Sequence, residues 1–182
     1  CQNECFAQES CVAGSCEVGK TIFVTSVGYT GEMGGLAGAD SICQSHAAVA
    51  GLEGDYKAWL ADDVESPDTR MTHFAGGYRL PSGVVVAESW DDLTDGDLLH
   101  PIDETEDGGT LPGELICAGE EVWSGVRTDG TPVDGNNCGG WTATDQAVSH
   151  TGRFSVMDAA WTQSTCTNIP CTAPLSFYCL QQ

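Results

Sequence analysis

The stretch that decides the fold reads GGLAGADSICQSHAAVAGLEGDYKAWLADD and spans Gly34–Asp63. From Ala37 to about Ala50 it consists mostly of good or tolerable helix formers. Small and apolar residues recur there at steps of three and four, as they do along one face of a helix: Ala39, Ile42, Cys43, His46 and Ala50. We therefore predict a helix. The glycines that follow at 51 and 54 predict its end, because glycine readily adopts the left-handed conformation that stops helices.

A short strand is predicted directly after this helix. In Tyr56–Leu60 the side chains alternate with the period of two that is typical of strands. The helix also carries Cys43, for which the best candidate partner is Cys179, inside the apolar run Leu175–Leu180. The stretch therefore predicts a helix and a strand that are held to the far end of the chain.

Other runs rich in β-branched and aromatic residues predict further strands. They are Thr21–Val27, Val84–Ala87, Glu121–Gly125, Trp141–Ala143 and Phe154–Gln163. Ser89 is the expected N-cap of a single helical turn, because a serine hydroxyl accepts a hydrogen bond from the first turn of a helix. Together these elements indicate an α+β protein.

The deciding stretch resembles the helix and strand of endostatin, the collagen-derived domain with a C-type-lectin-like fold, and those of related bacterial secreted domains. The similarity continues in SWDDLTDG at 89–96, EVWSGVRTDG at 121–130, CGGW at 138–141 and the closing PCTAPLSFYCLQQ. It implies an α+β, C-type-lectin-like domain over residues 21–182, preceded by a cysteine-rich knob at residues 1–20. It implies little about activity, since one fold hosts many functions.

Ten cysteines, without the paired C-x-x-C spacings of zinc ribbons, indicate disulfides and an oxidising, extracytoplasmic compartment. The endostatin-like pattern implies the pairs Cys43–Cys179 and Cys138–Cys171. Cys117 is then left to pair with Cys166.

The first sixteen residues, CQNECFAQESCVAGSC, are too few to build a hydrophobic core. Two crossed bridges, most simply Cys1–Cys11 and Cys5–Cys16, would have to hold them together. The alternative is that Cys1 carries the lipid of a lipoprotein, which would leave one cysteine unpaired. The even cysteine count favours the disulfides.

The charge of the chain excludes several partners. With 27 acidic and 6 basic residues the net charge is -21, so the surface repels nucleic acids and sulfated polymers. Endostatin binds heparin through arginines, but the basic residues here are scattered, and we do not expect heparin binding. No run approaches the length of about eighteen apolar residues that indicates a membrane span.

One motif is misleading. GSCEVGKT at Gly14–Thr21 matches the phosphate-loop pattern G-x-x-x-x-G-K-[ST] in every fixed position. A phosphate loop opens a helix, whereas this motif runs into the predicted strand Thr21–Val27. We therefore do not expect nucleotide binding, and we expect Lys20 to be a solvated linker residue.

The long segment TDGDLLHPIDETEDGGTLPGE at 94–114 is the best functional candidate, since long loops in compact domains are usually functional or mobile. Residues 91–107 contain eight carboxylates. One interpretation is a solvated acidic loop. The other is a calcium site, because calcium takes six to eight oxygen ligands. The EF-hand pattern and the sugar-binding motifs of C-type lectins are absent. The candidate ligands are Asp91, Asp92, Asp95 and Asp97.

A second loop, Arg127–Gly140, contains Asn136 and Asn137 beside Cys138. Amides on a rigid loop can contact a sugar or a metal, although they more often satisfy the backbone of turns. Trp90 and Trp141 are either core residues or, if exposed, stacking platforms. The candidate ligand-binding residues are Trp90, Asn136, Asn137 and Trp141.

No catalytic motif stands out. The histidines are spread along the chain without H-E-x-x-H, G-x-S-x-G is missing, and His46 is expected simply to be packed on its helix. We therefore expect a non-enzymatic, extracellular binding or adhesion module that recognises a glycan or a protein through its long loops. The alternative is a structural subunit of an extracellular appendage or filament-like assembly, which would self-assemble. A hydrolytic enzyme ranks third.

Overall fold

The computed structural model describes residues 9–12, 15–111, 119–145, 148–166 and 169–182, which form a mixed α+β structure with two disulfides of defined geometry. The strands are β1 Glu9–Val12, β2 Ser15–Val18, β3 Lys20–Val24, β4 Tyr56–Ala58, β5 Tyr78–Arg79, β6 Val85–Ala87, β7 Glu121–Trp123, β8 Thr151–Arg153 and β9 Ser176–Gln181. The helices are α1 Gly35–Ala50, α2 Pro67–Arg70, α3 Trp90–Leu93, α4 Cys138–Trp141 and a 3-10 turn at Ala159–Trp161.

The strands form two sheets. β1 and β2 make an antiparallel hairpin, and the larger sheet has the order β6-β5-β3-β9-β7-β8. In the larger sheet β9 pairs antiparallel with β3 and parallel with β7, and β4 also pairs with its C-terminal end. The last strand of the chain is therefore the centre of the sheet. The sheet begins at Lys20, within the segment predicted as the N-terminal knob.

The core lies on both faces of this sheet because side chains alternate along a strand. In β9, Tyr178 and Leu180 pack into one apolar cluster together with Trp59, Trp90 and Trp161. Phe177 and Cys179 pack into the other cluster, which contains the buried face of α1. All four of these β9 side chains are fully buried. A strand buried on both faces reads as a continuous apolar run, as residues 175–180 do.

The main helix agrees with the sequence at its C-terminal end. α1 stops at Gly51, which has φ 74° and donates its N–H to carbonyls of the last turn. The helix starts two residues earlier than predicted, after Gly34 with φ 85°. Its buried residues are spaced at three and four: Leu36, Ala39, Cys43 and Ala47. Of the predicted face, Ala39 and Cys43 are buried, whereas Ile42, His46 and Ala50 are only partly buried. Ser89 caps α3 as predicted, by accepting a hydrogen bond from the Asp92 N–H.

The two disulfides close the domain. Cys43–Cys179 joins α1 to β9 across 136 residues, and Cys138–Cys171 joins α4 to the segment before β9. Both pairings are those that the resemblance implies. The predicted pairs Cys1–Cys11, Cys5–Cys16 and Cys117–Cys166 each include a residue outside the described ranges, although Cys16 and Cys166 are themselves disulfide-bonded.

Two predicted strands are wrong. Trp141–Ala143 is not a strand, because α4 ends at Trp141 and the backbone has positive φ at each residue of α4. Consecutive residues in the left-handed conformation cannot form a strand, because strand residues have negative φ. The two glycines of α4 adopt positive φ readily. Phe154–Gln163 is also not a strand. β8 ends at Arg153, and Asp158 then caps the 3-10 turn.

Lys20 is also not a solvated linker residue. It lies in β3, its ammonium donates to the Gln182 carbonyl, and it sits 5.4 Å from the centre of the Phe74 ring. This side chain thus ties the first strand of the large sheet to the end of the chain. Among the described residues, no helix is long and apolar enough to cross a bilayer.

The disulfides predict an order of stabilities. Removing Cys43–Cys179 by a paired Cys→Ala change should lower the free energy of unfolding by about 5 kcal/mol, and removing Cys138–Cys171 by about 4 kcal/mol, because the longer loop constrains the unfolded chain more. Their sequence separations are 136 and 33. Urea unfolding of both double variants measures the difference. A larger loss for the Cys138–Cys171 variant would contradict the central role of the α1–β9 bond.

Candidate functional site

Every lysine and arginine of the chain is already engaged within the protein. All six are partly buried, and each donates to a backbone carbonyl or a carboxylate. The partners are Gln182 for Lys20, Arg70 for Lys57, Asp40 for Arg70, Gly83 for Arg79, Pro132 for Arg127 and Glu120 for Arg153. Most of the 27 acidic residues therefore have no cation to neutralise them.

The acidic segment, residues 88–107, carries much of this charge. It contains no lysine or arginine. Its exposed or half-exposed carboxylates are Glu88, Asp91, Asp92, Asp95, Asp97, Asp103, Glu104 and Asp107. The segment therefore presents a concentrated negative charge to solvent.

The acidic segment is anchored to the core along its length. Leu98 and Ile102 are buried, and they hold the loop down between the charged positions. The Leu98 N–H donates to Met157 O at 2.7 Å, and the Val24 N–H donates to Glu104 O at 2.9 Å. The backbone that carries the carboxylates is therefore held by the tertiary structure, although residues 94–111 form a long loop as predicted.

The candidate calcium ligands have local roles or point into solvent. Asp92 accepts from the Glu88 N–H at 2.7 Å, and Asp95 accepts from the Asp97 N–H at 3.0 Å. Asp91 and Asp97 are exposed. Within the described ranges, no three His, Cys, Asp or Glu side chains are grouped to hold a metal. Calcium at these four aspartates stays a prediction of the sequence.

A buried carboxylate, Glu106, links the C-terminal end of the acidic segment to α1 by hydrogen bonding. It accepts hydrogen bonds from both the N–H and the hydroxyl of Ser26, and from Nδ1 of His46 at 2.6 Å. The Tyr29 hydroxyl lies 2.9 Å from Nε2 of the same imidazole. His46 is therefore a link in a network, which the sequence did not reveal, since its partners lie 17 and 60 residues away.

The protonation of this network follows from its electrostatics. Burial raises the pKa of Glu106, but the hydrogen bonds from Ser26 and His46 outweigh that effect, and the pKa lies below its ordinary value. Burial and the Glu106 charge raise the pKa of Tyr29. Tyr29 thus stays protonated at neutral pH, and its hydroxyl is hydrogen-bonded to Nε2, while Nδ1–H donates to the Glu106 carboxylate. The Ser26 hydroxyl donates to Glu106 and not to His46, so the imidazole and the hydroxyl meet only through the carboxylate.

The four predicted ligand-binding residues are not brought together. Trp90 and Trp141 belong to the two different core clusters, and they are 5% and 0% exposed. Trp90 stacks under His73 at 4.2 Å between ring centres. The Trp141 indole donates to Ala61 O at 2.8 Å. Both are therefore core residues, which is one of the two alternatives that the sequence left open.

The two asparagines have structural roles. The Asn137 side chain donates to Asp63 at 2.8 Å and accepts from the Gly140 N–H at 2.9 Å, so it caps α4. The carbonyl of Asn136, which is half-buried, accepts from the Ser149 hydroxyl and the His150 N–H. The side-chain oxygen of Asn137 thus satisfies a backbone N–H, which is the more frequent use of such amides, whereas the contacts of Asn136 are made by its backbone carbonyl.

A second buried carboxylate, Glu121, was not predicted from the sequence. It lies at the start of β7 and is 5% exposed. Its Oε2 accepts from the Thr151 hydroxyl at 2.7 Å, but its Oε1 is without a hydrogen-bond partner within the part of the chain that the structure describes. Burial raises its pKa, and the nearby hydroxyls of Thr151 and Ser164 offset this only in part.

Arg153 is paired with Glu120 and is not hydrogen-bonded to Glu121. Arg153 donates to Glu120 at 2.7 Å, whereas its Nε remains 3.9 Å from Oε1 of Glu121. Hydrogen bonds from Ser155 and Arg153 lower the pKa of Glu120. Two neighbouring carboxyl groups are thus shifted in opposite directions, because one is paired in partial contact with water and the other is buried without a close cation.

Glu121 lines a cavity of about 80 Å³, here called the Glu121 cavity. Its other walls include the apolar side chains of Leu111, Phe154 and Leu175 and the polar residues Ser26 and Ser176. Ser26 therefore contacts both the cavity and Glu106. No spacing in the sequence marks this site, because a single Glu at a strand start is unremarkable until its surroundings are known.

We expect Glu106→Gln to lower the free energy of unfolding at neutral pH by about 1–3 kcal/mol, since charged hydrogen bonds in a buried place are lost. The depressed pKa means that this stabilisation is present above the ordinary value of 4.5 and disappears as the pH falls through the folded-state pKa. Denaturant unfolding from neutral to acid pH measures it. Glu53→Gln, at an exposed carboxylate, is the matched control. Equal effects of the two substitutions would contradict the anchoring role.

Glu121→Gln should have the opposite effect. A carboxyl with a raised pKa binds its proton more tightly in the folded state, so its ionisation lowers stability as the pH rises above 4.5. The variant should unfold at a higher temperature than the wild type at neutral pH, and the gain should vanish in acid. Thermal unfolding against the Glu53→Gln control tests this, and a clear loss of stability at neutral pH would refute it.

Comparison with known proteins assigns no family to this chain. No protein-family model matches it, and no curated protein is similar to it in sequence. What the protein does must therefore follow from its own side chains and their arrangement.

Proposed function

We propose that the protein is a non-enzymatic, extracellular binding module that holds a cationic protein partner on its acidic segment. The observation that carries this proposal is that exposed carboxylates greatly outnumber the cations that could pair with them. All six basic side chains are engaged internally, while the acidic segment exposes carboxylates that have no cation. A strongly negative surface attracts positively charged partners and accelerates their encounter.

The anchoring of the acidic segment favours binding over simple solubility. Leu98, Ile102 and Glu106 are buried, so the backbone between them is ordered before any partner arrives. Binding by an ordered segment loses less conformational entropy than binding by a free loop. A chain that needed charge only for solubility would have no use for this buried support.

A protein partner fits better than a glycan. Sugar recognition relies on exposed aromatic faces, and Trp90 and Trp141 are buried. Nucleic acids and sulfated polymers are repelled by the same charge that attracts a basic protein. Calcium remains a second proposal for Asp91, Asp92, Asp95 and Asp97, and a chelator separates the two.

We also propose a C-type-lectin-like fold and an extracytoplasmic location for this protein. The resemblance to endostatin implies a C-type-lectin-like fold for residues 21–182. The antiparallel pairing of β3 with β9 and the bond between α1 and β9 support it. The disulfides also support an extracytoplasmic location, since they persist in oxidising compartments.

The test compares two double variants that each remove two negative charges. Asp91→Asn with Asp97→Asn lies in the acidic segment, and Glu53→Gln with Asp55→Asn lies at exposed positions beyond α1. An immobilised polylysine peptide serves as the probe. The first variant should bind about three- to thirtyfold more weakly than the wild type, as expected when about 0.3–1 kcal/mol is lost for each of the two charges. The second should change binding little.

Three outcomes would contradict the proposal. They are equal effects of both double variants, binding that does not weaken with added salt, and concentration-dependent oligomers of the protein alone that bind no peptide. The last outcome would favour the alternative of a structural subunit. Binding that is lost on adding a chelator would assign the acidic segment to calcium instead.

A further inference from the structure

A groove lies at the N-terminal end of the acidic segment and is here called the His73 groove. Its volume is about 360 Å³, and ligand pockets usually have volumes of about 300–1,000 Å³. Two stretches line it, residues 73–75 and residues 89–91. Both belong to the continuous described range 15–111, so the chain that connects the two walls is described throughout.

The His73 groove has a buried floor and accessible walls. Phe74 and Trp90 are 8% and 5% exposed and form the floor. The His73 side chain is 46% exposed, and Asp91 and Ala75 are exposed as well. The Trp90 N–H donates to Phe74 O at 2.8 Å, which ties the two walls together. The groups that a ligand would meet are therefore open to solvent, and the backbone that carries them is held before it binds.

The His73 imidazole presents a flat surface in this groove. It lies on the Trp90 indole with 4.2 Å between the ring centres and 7° between the planes, so that one of its faces is covered. Its Nε2–H donates to the Asp68 carbonyl at 2.8 Å, since a carbonyl only accepts hydrogen bonds. The ring is thus fixed from below and at its edge, and its exposed part lies on the side away from Trp90.

The charges around the His73 groove favour a cation. Asp91 lines the groove, and Asp68 Oδ1 lies 3.7 Å from Nε2 of His73. Among the described residues, no lysine or arginine lines it. Lys20 approaches the floor from outside the lining, and its ammonium donates to the Gln182 carbonyl. Since every lysine and arginine of the chain is engaged elsewhere, none of them neutralises the charge of Asp91.

A guanidinium group fits these features better than an ammonium or a sugar. It is planar and weakly hydrated, and it stacks on aromatic faces while its N–H groups donate to a carboxylate. An ammonium is a compact, strongly hydrated charge, which matches a flat ring less well. A neutral sugar leaves the carboxylate charge uncompensated. The side chain that carries a guanidinium on a flexible apolar stem is arginine.

We propose that the His73 groove binds an arginine side chain of the cationic partner, with its guanidinium stacked on the His73 ring and paired with Asp91. This inference rests on the proposed function, and it names the residue type that the acidic segment recognises at its N-terminal end. The other exposed carboxylates of the segment then contact further basic residues of the same partner. The groove gives a preference for arginine over lysine, which negative charge alone does not.

The first experiment measures binding of the full chain to two immobilised peptides of equal charge, hexaarginine and hexalysine. The wild type should bind hexaarginine about two- to fivefold more tightly, the gain expected from one cation–π contact at an exposed site. His73→Ala should bring this ratio close to one, because it removes the ring and leaves the carboxylates. His73→Phe keeps a planar ring and should keep the preference. Glu53→Gln, at an exposed carboxylate, should leave the ratio unchanged.

The second experiment locates the site by adding N-ethylguanidinium chloride to the ¹⁵N-labelled chain and following the backbone amides by NMR. Saturable shifts should appear at Phe74, Ala75 and Trp90, which line the His73 groove. Asp91→Asn should weaken this binding about two- to fivefold. N-Ethylurea is planar without the charge, and methyl glucoside is a neutral sugar; neither should produce the shifts. A native-like spectrum of each variant shows that it is folded.

Four results would overturn the inference. They are equal binding of the two peptides by the wild type, a preference for hexaarginine that persists in His73→Ala, no shifts with N-ethylguanidinium, and shifts that N-ethylurea or methyl glucoside reproduces. The last result would assign the groove to a neutral ligand. None of them depends on whether polylysine binds the acidic segment. A chain that binds N-ethylguanidinium in the groove but not polylysine would refute the proposed function alone, and a chain that binds both peptides equally would refute the arginine site alone.

Discussion

The structure depends on the burial of β9 between two apolar layers. Its side chains alternate between the clusters, and its backbone pairs with β3, β4 and β7. Cys179 is opposite Phe23 in β3 and Ala58 in β4, and it is bonded to Cys43 of α1. Residues of α1, β3, β4 and β9 thus meet around Cys179. Since these contacts span most of the chain, each of them is stable only while the others hold.

The position of α1 against β9 has a consequence for the surface. It places His46 beside Tyr29 and in reach of Glu106, so a carboxylate from the acidic segment is satisfied inside the protein. The neighbouring carboxylates then have a fixed backbone and face solvent. The core thus determines which acidic residues serve the fold and which face solvent. Composition alone cannot make this distinction, because all of them have the same charge.

The two buried carboxylates differ in how many hydrogen-bond donors the fold supplies to them. Glu106 accepts from Ser26 and His46, and its pKa is lowered despite burial. Glu121 has an unpaired oxygen, and its pKa is raised by burial. The proximity of Ser26 to both groups connects the anchored segment to the cavity.

Local signals in the sequence predicted much of the fold. The end of α1 at Gly51 and the Ser89 cap follow from backbone conformation and from hydrogen bonds within a few residues. The continuous apolar run at β9 is the pattern expected of a strand that is buried on both faces. The two disulfides with a defined geometry were implied by the resemblance and not by the spacing of cysteines. The strand predicted at Trp141 failed because the left-handed turn of α4 is set by tertiary contacts, including the indole bond to Ala61.

By itself, the sequence determined the α+β pattern and the strong negative charge, from which we expect no binding of nucleic acids. Only the tertiary structure decided which side chains meet. Ser26, His46 and Glu106 lie up to 80 residues apart, and Glu121 is ordinary until its neighbours are known. The burial of Trp90 and Trp141 was equally open, since a tryptophan in a polar stretch can face either way. The physical reason is that propensity and periodicity act over a few residues, whereas burial, desolvation and hydrogen-bond partners are properties of the packed chain.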